Sequence, residues 1–170
     1  MQLFLIGYMG CGKSTIGRKL SSKLGCKLID TDGEIERRER CSVGEIFERR
    51  GEDYFRAAER QLLDEILASG EDCIVSTGGG LPMWGDNMDR MTQSAHTIYL
   101  RRTAENIASR LSAAGRARRP KLRGLSDEEL VAFMQANIAE REGVYNRASV
   151  VVEANPLSDS EILSIIAAIK

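Results

Sequence analysis

At 170 residues the chain fits one domain with enough material to bury a real core. It is 42% apolar and 29% charged, as globular proteins commonly are, and its net charge of −1 gives no general reason to expect nucleic acid or a membrane surface as a partner. No apolar run approaches the roughly 20 residues that cross a bilayer, and the opening MQLFLIGYMG lacks the basic leader of a signal peptide.

The first apolar run, LFLI at 3–6, reads as a buried strand and leads directly into GYMGCGKST, Gly7 to Thr15. Gly7, Gly12, Lys13 and Ser14 fall at the spacing of a phosphate-binding loop. Glycines let the backbone wrap a phosphate chain with its N–H groups turned inward. The helix that follows, to about Leu24, adds its positive N-terminus. Lys13 supplies a mobile charge and Ser14 a hydroxyl suited to Mg²⁺. This implies nucleotide binding without choosing among kinase, GTPase and motor. Cys11, inside the loop near a lysine, is expected to be partly exposed with a lowered thiol pKa.

KLID at 27–30 is the second strand, and it ends in Asp30-Thr31-Asp32. Read as extended chain, this places both carboxylates on one side, facing the crevice beside the loop. One would hold a metal's water shell and the other a substrate hydroxyl; a solvated turn is the competing reading. Residues 31–54 look like short helical pieces, and a helix with Leu62, Leu63, Ile66 and Leu67 on one face spans 55–68. Arg56 sits at its start with Glu59 one turn on, a spacing that braces a guanidinium.

CIVS at 73–76 is the third strand, followed by Gly78-Gly79-Gly80. The bare run lets a substrate lie against backbone N–H groups, or is simply a loose turn before Pro82. HTIYL at 96–100 is the fourth strand, and a helix covers about 104–112. GRARRPKLRG at 115–124 is basic and without apolar period, either a nucleic-acid patch or a lid closing over nucleotide; its lack of aromatics favours the lid. Ser126-Asp127-Glu128-Glu129 caps a long helix to about Tyr145, which carries Arg141. SVVVE at 149–153 is the fifth strand, and Ser158-Asp159-Ser160-Glu161 opens a last helix. Strand–helix alternation of this kind predicts a three-layer, doubly wound α/β fold with a five-stranded parallel sheet. The cysteines Cys11, Cys26, Cys41 and Cys73 have no close pairing and suit a reduced cytosol, and the lone His96 reads as structural.

The ordered set GYMGCGKST, Asp30-Thr31-Asp32, Phe55-Arg56-Ala57-Ala58-Glu59, Gly78-Gly79-Gly80, Arg119-Pro120 and Arg141 upstream of Tyr145 resembles the shikimate kinase family over essentially the whole chain. The resemblance implies ATP-dependent phosphorylation of the shikimate 3-hydroxyl, in the route to chorismate and the aromatic amino acids. It implies a P-loop kinase domain over 1–170, with a substrate-binding subdomain at about 31–60 and a lid at about 113–125. Lys13, Asp32 and Arg119 would be catalytic. Asp32, Arg56, Gly78, Gly79, Gly80 and Arg141 would bind shikimate, the two arginines gripping its carboxylate. Gly10, Cys11, Gly12, Lys13, Ser14, Thr15, Arg110, Arg119 and Asn155 would bind nucleotide, with Arg110 and the Asn155-Pro156 turn flanking adenine. Ser14 and Asp30 would hold one Mg²⁺. The expected partners are ATP, ADP and shikimate, with no nucleic acid or membrane, and the expected form is a cytoplasmic monomer. A gluconate or nucleoside monophosphate kinase is the alternative. A GTPase is disfavoured because no Asn-Lys-x-Asp guanine reader is present.

Overall fold

The computed structural model describes residues 1–117, 120–153 and 159–168. All five apolar runs are strands: β1 (Gln2–Ile6), β2 (Lys27–Asp30), β3 (Cys73–Ser76), β4 (His96–Arg101) and β5 (Val150–Glu153). They form one parallel sheet in the order β2-β3-β1-β4-β5. β1, β3 and β4 are buried almost throughout. The expectation of continuous burial fails at the two edges, where Lys27, Val151 and Glu153 are exposed. An edge strand has a neighbour on one side only, so part of it stays open.

Helices cover both faces of the sheet. Alternate β1 residues serve opposite sides, as a strand's period of two requires. Leu3 and Leu5 pack with Ile16 and Leu20 of α1 (Lys13–Leu24), Ile107 of α5 (Ala104–Arg110), Met134 of α7 (Asp127–Tyr145) and Ile162 of α8 (Asp159–Ala168). Phe4 and Ile6 pack with Leu62, Leu63 and Ile66 of α3 (Val43–Ser69) and Met91 of α4 (Asn87–Ser94). This is the three-layer doubly wound architecture.

Between β2 and β3 lie α2 (Thr31–Glu39) and α3, which begins twelve residues before Phe55, where the apolar pattern had placed the helix start. A second capping box accounts for the difference: Ser42 accepts from Glu45 N–H while the Glu45 carboxylate takes the Ser42 N–H. The long helix is also broken. Gly51 has φ 82° and ψ 173°, a conformation essentially confined to glycine, and the chain changes direction before Phe55 and Arg56. α4 was not foreseen, because only Met88 and Met91 bury apolar side chains and one pair is too short a period to see. The basic stretch holds α6 (Ala113–Ala117) and a 3₁₀ turn at Pro120–Leu122, with Leu122 buried. The Ser126 capping box is present, with Ser126 accepting from Glu129 N–H. Ser158, expected to cap α8, lies outside the described residues. Among the described residues no helix is long and apolar enough to cross a membrane.

The strand order determines where a ligand fits. β1 and β3 are neighbours, yet the chain leaves β1 toward one edge and β3 toward the other. Their carboxyl ends therefore open the crevice in which such folds bind ligands. The glycine-rich loop leaves β1 and the three glycines leave β3, so the two motifs face each other.

Candidate active site

The loop after β1 needs its glycines. Gly7, Gly10 and Gly12 have φ of 142°, 77° and 106°, and a Cβ on Gly7 would lie 2.8 Å from Leu100 O. Lys13 is 8% exposed, and its ammonium donates to Gly7 O at 2.7 Å and Tyr8 O at 3.0 Å. The loop thus holds its own cation at its centre. Ser14 Oγ donates to Asp30 Oδ2 at 2.9 Å and lies 3.3 Å from Ser76 Oγ. A cavity of about 320 Å³ opens over Gly10, Gly12, Lys13, Ser14 and Thr15, with Arg110 on its far wall. Cys11 is fully buried, not partly exposed: its Sγ sits beneath the loop, 3.8 Å from Lys13 Nζ.

Across the crevice each of the three glycines makes room for a different functional side chain. A Cβ on Gly78 would overlap Asp32 Oδ1 and come within 2.9 Å of Glu59 Oε1. One on Gly79 would sit 3.5 Å from Arg141 Nη1 and 3.5 Å from Gly7 O of the phosphate loop. One on Gly80 would overlap the Arg56 guanidinium. The glycine run is therefore a floor on which two arginines and two carboxylates rest. Thr31 Oγ1, accepting from Gly78 N–H at 2.8 Å, and Tyr145 OH, donating to Gly79 O at 2.6 Å, pin that floor. Burial pushes the Tyr145 hydroxyl up to about 12, so it remains a donor.

Arg56 is held by Glu59, at 2.5 Å through Nη1, and by Glu52, at 2.9 Å through Nη2. Glu59 is fully buried, and its Oε1 has no hydrogen-bond partner among the described residues; the same is true of Asp32 Oδ1. Burial lifts the Glu59 carboxyl to about 7, with the Asp32 charge adding to the rise against the pull of Arg56. Asp32 is also raised, by burial first and by Asp30 second. Arg141 stacks over the Tyr8 ring at 5.4 Å. Two cationic forks and an acceptor oxygen thus converge on one small space beside the phosphate loop. This arrangement can hold a compact, hydroxylated carboxylate against a nucleotide's terminal phosphate.

A sequence model of shikimate kinase matches residues 9–170. The chain belongs to the shikimate kinase family. A shikimate kinase of Parabacteroides distasonis is 42% identical over 162 residues, covering 95% of this chain and 92% of that one. A crystal structure of the shikimate kinase from Bacteroides thetaiotaomicron superposes with a TM-score of 0.87 at 36% identity, covering 98% of this chain and 94% of that one. The shikimate kinase of Acinetobacter baumannii, solved in complex with shikimate, superposes with a TM-score of 0.81 at 29% identity, covering 98% and 89% respectively.

With the family in view, the candidate residues divide clearly. The structure brings together Gly10, Gly12, Lys13, Ser14, Thr15 and Arg110 around one cavity, and Asp32, Arg56, Gly78, Gly79, Gly80 and Arg141 around the adjoining floor. Arg119 and the Asn155-Pro156 turn lie outside the described residues. The Asp30/Asp32 geometry is corrected. The segment is not extended: Asp30 ends β2 and N-caps α2, accepting from Gly33 N–H, while Asp32 lies in the first helical turn. Asp30 therefore turns to Ser14, and Asp32 to Gly78. Ser76 and Tyr145 join the site without having been singled out as site residues. Ser76 ends an apolar strand and carried no motif, and the role of Tyr145 depends on a contact 66 residues away. An open groove of about 540 Å³ beside Arg60 and Trp84, on the outer side of α3, contains none of the candidate residues.

Proposed function

We propose that this chain transfers the γ-phosphoryl group of ATP to the 3-hydroxyl of shikimate, giving shikimate 3-phosphate and ADP in the route to chorismate. The observation that carries the reading is the floor of three glycines, whose missing side chains are replaced by Asp32, Glu59, Arg141 and Arg56 directly beside the phosphate loop. Shikimate offers a carboxylate and ring hydroxyls. Arg56 and Arg141 take the carboxylate, and the Asp32 carboxylate, whose buried Oδ1 rests against Gly78 without a partner among the described residues, accepts from the reacting hydroxyl. The hydroxyl oxygen forms a bond to the γ-phosphorus as the bond to the ADP oxygen breaks, and its proton leaves toward Asp32. Phosphoryl transfer is mainly a matter of position and charge, so the chief work of Asp32 is to orient.

On the donor side, Lys13 exchanges its loop carbonyls for phosphate oxygens, and the Gly10–Thr15 backbone, Cys11 included, contributes N–H groups. Arg110 and Asn155 flank the adenosine end, and Arg119 reaches the transferring group. Ser14 and Asp30 form a pair of hard oxygen donors that fits Mg²⁺, an ion that takes few protein ligands and leaves the rest to phosphate and water. When bound, it neutralises charge on the phosphates. Residues 31–60 act as a substrate-binding subdomain. Residues 113–125 act as a lid, anchored by buried Leu122 and by ion pairing of Arg116 with Asp127 at 2.6 Å. The expected form is a monomer, and the free cysteines support a cytoplasmic location.

The test is ADP release with ATP and Mg²⁺, with and without shikimate. Turnover should depend on shikimate and fall sharply in Asp32→Asn. ADP release indifferent to shikimate, with gluconate or a nucleoside monophosphate restoring it, would replace the acceptor and leave the donor site standing.

A further inference from the structure

Arginines in this protein are generally well partnered. Arg56 has Glu52 and Glu59, Arg101 has Glu142 and Glu153, and Arg60 has Asp64 and Asp86. Arg102 differs from these. It is 8% exposed, makes no hydrogen bond or ion pair with any described residue, and its Nε is buried and unsatisfied. A long side chain can bury its stem against apolar surface at little cost, but it then keeps its head in water. Here Nε, at the root of the guanidinium, is buried as well. An uncompensated buried cation is expensive, and in a settled structure it calls for an anion.

Its position narrows the choice of anion. Arg102 joins the end of β4 to Thr103, whose hydroxyl caps α5. It follows Ile98 and Leu100 on the sheet face that packs against Cys11 of the phosphate loop and Ile107 of α5. Leu100 O lies against Gly7, and Ile107 lies against Gly10, so this corner forms the back of the loop. The charged and titratable groups acting on Arg102 are Arg110, which repels it, and the Cys11 thiol. Arg110 lines the cavity over the loop and likewise has no partner among the described residues. Arg102 and Arg110 therefore both belong to the α5 side of the phosphate loop without a partner among the described residues, and no described carboxylate acts on Arg102.

We propose that Arg102 is a nucleotide-binding residue, whose guanidinium takes a phosphate oxygen of bound ATP or ADP on the adenosine side of the loop, next to Arg110. The proposal rests on reading the cavity as the nucleotide site, and it is independent of which hydroxyl receives the phosphate. It has an unusual signature. Removing the charge relieves a cost in the free protein and removes a contact in the complex, so stability and affinity move in opposite directions.

The experiment compares wild type with Arg102→Leu and Arg102→Lys by calorimetric titration of ADP, thermal melting without ligand, and steady-state kinetics. Arg102→Leu should weaken ADP binding roughly 10- to 100-fold, the scale of a lost charge-assisted hydrogen bond. Its KM for ATP should rise while its KM for shikimate stays unchanged. Its Tm without ligand should rise by about 2–4 °C. Arg102→Lys should retain part of the affinity. Unchanged ADP affinity in Arg102→Leu overturns the proposal whichever way the Tm moves. It is also overturned if inorganic phosphate raises the wild-type Tm, fails to do so in Arg102→Leu, and does not compete with ADP, since the seat would then serve a separate anion. Wild type that binds no ADP removes the nucleotide reading itself.

Discussion

The two halves of the crevice are built in opposite ways. The donor half comes from one contiguous loop, Gly7 to Thr15, whose lysine is already satisfied by two carbonyls of that loop. The acceptor half is assembled from four separate segments around Asp32, Arg56, Gly78–Gly80 and Arg141, and it keeps two carboxylate oxygens without partners. The first half is a local structure that waits in a relaxed state. The second is a tertiary structure in which the fold imposes unsatisfied groups on one another. Damage to the donor half should therefore remove chemistry, whereas damage to the acceptor half should first remove substrate recognition.

Lys13→Met tests that division most directly. It should lower kcat by about 100- to 1,000-fold, the scale of losing one group aimed at transition-state charge, with little change in shikimate affinity by calorimetry. A large loss of shikimate affinity would show that the halves are not separable. Gly80→Ala comes next. The added Cβ overlaps the Arg56 guanidinium, so KM for shikimate should rise by roughly 10- to 100-fold with KM for ATP almost unchanged. An equal rise in both constants would break the comparison.

Glu59→Gln sharpens it through pH. The folded pKa of Glu59 is raised from 4.5 to about 7, so its protonated form is the one the fold favours. Its contribution is complete below the unfolded pKa and is lost as pH rises through 7. Chemical denaturation should show wild type losing up to about 3 kcal/mol relative to Glu59→Gln, progressively as pH rises from about 4.5 to about 7 and levelling off above it. Parallel pH profiles for the two proteins would refute it. The smallest effect is expected from Tyr145→Phe, which removes the donor to Gly79 O. Stability should fall by about 1 kcal/mol, read as a Tm lower by roughly 2–4 °C.

The same division explains what was legible in the sequence. The phosphate loop was readable outright, because its spacing and its flanking strand and helix are adjacent in the chain. The five strands were readable from apolar runs, although the edge positions of β2 and β5 depend on strand order. In the acceptor half the residue types were readable but their geometry was not. Asp30 and Asp32 looked like neighbours on one face of an extended segment, yet a helix starts between them and sends them to different partners. The break at Gly51 was hidden because glycine is tolerated in a helical pattern until its φ is known. The isolation of Arg102 was invisible, since nothing in the sequence says that an arginine will find no acid.

The glycine floor has a consequence for resistance to inhibitors. A compound seated on Gly78, Gly79 and Gly80 touches backbone with no side chain to exchange. At Gly78 and Gly80 even a methyl group displaces Asp32 or Arg56, the residues proposed to bind shikimate. Escape by substitution at those two positions should cost the enzyme its own substrate, and contacts made there are the ones that resistant variants would find hardest to remove.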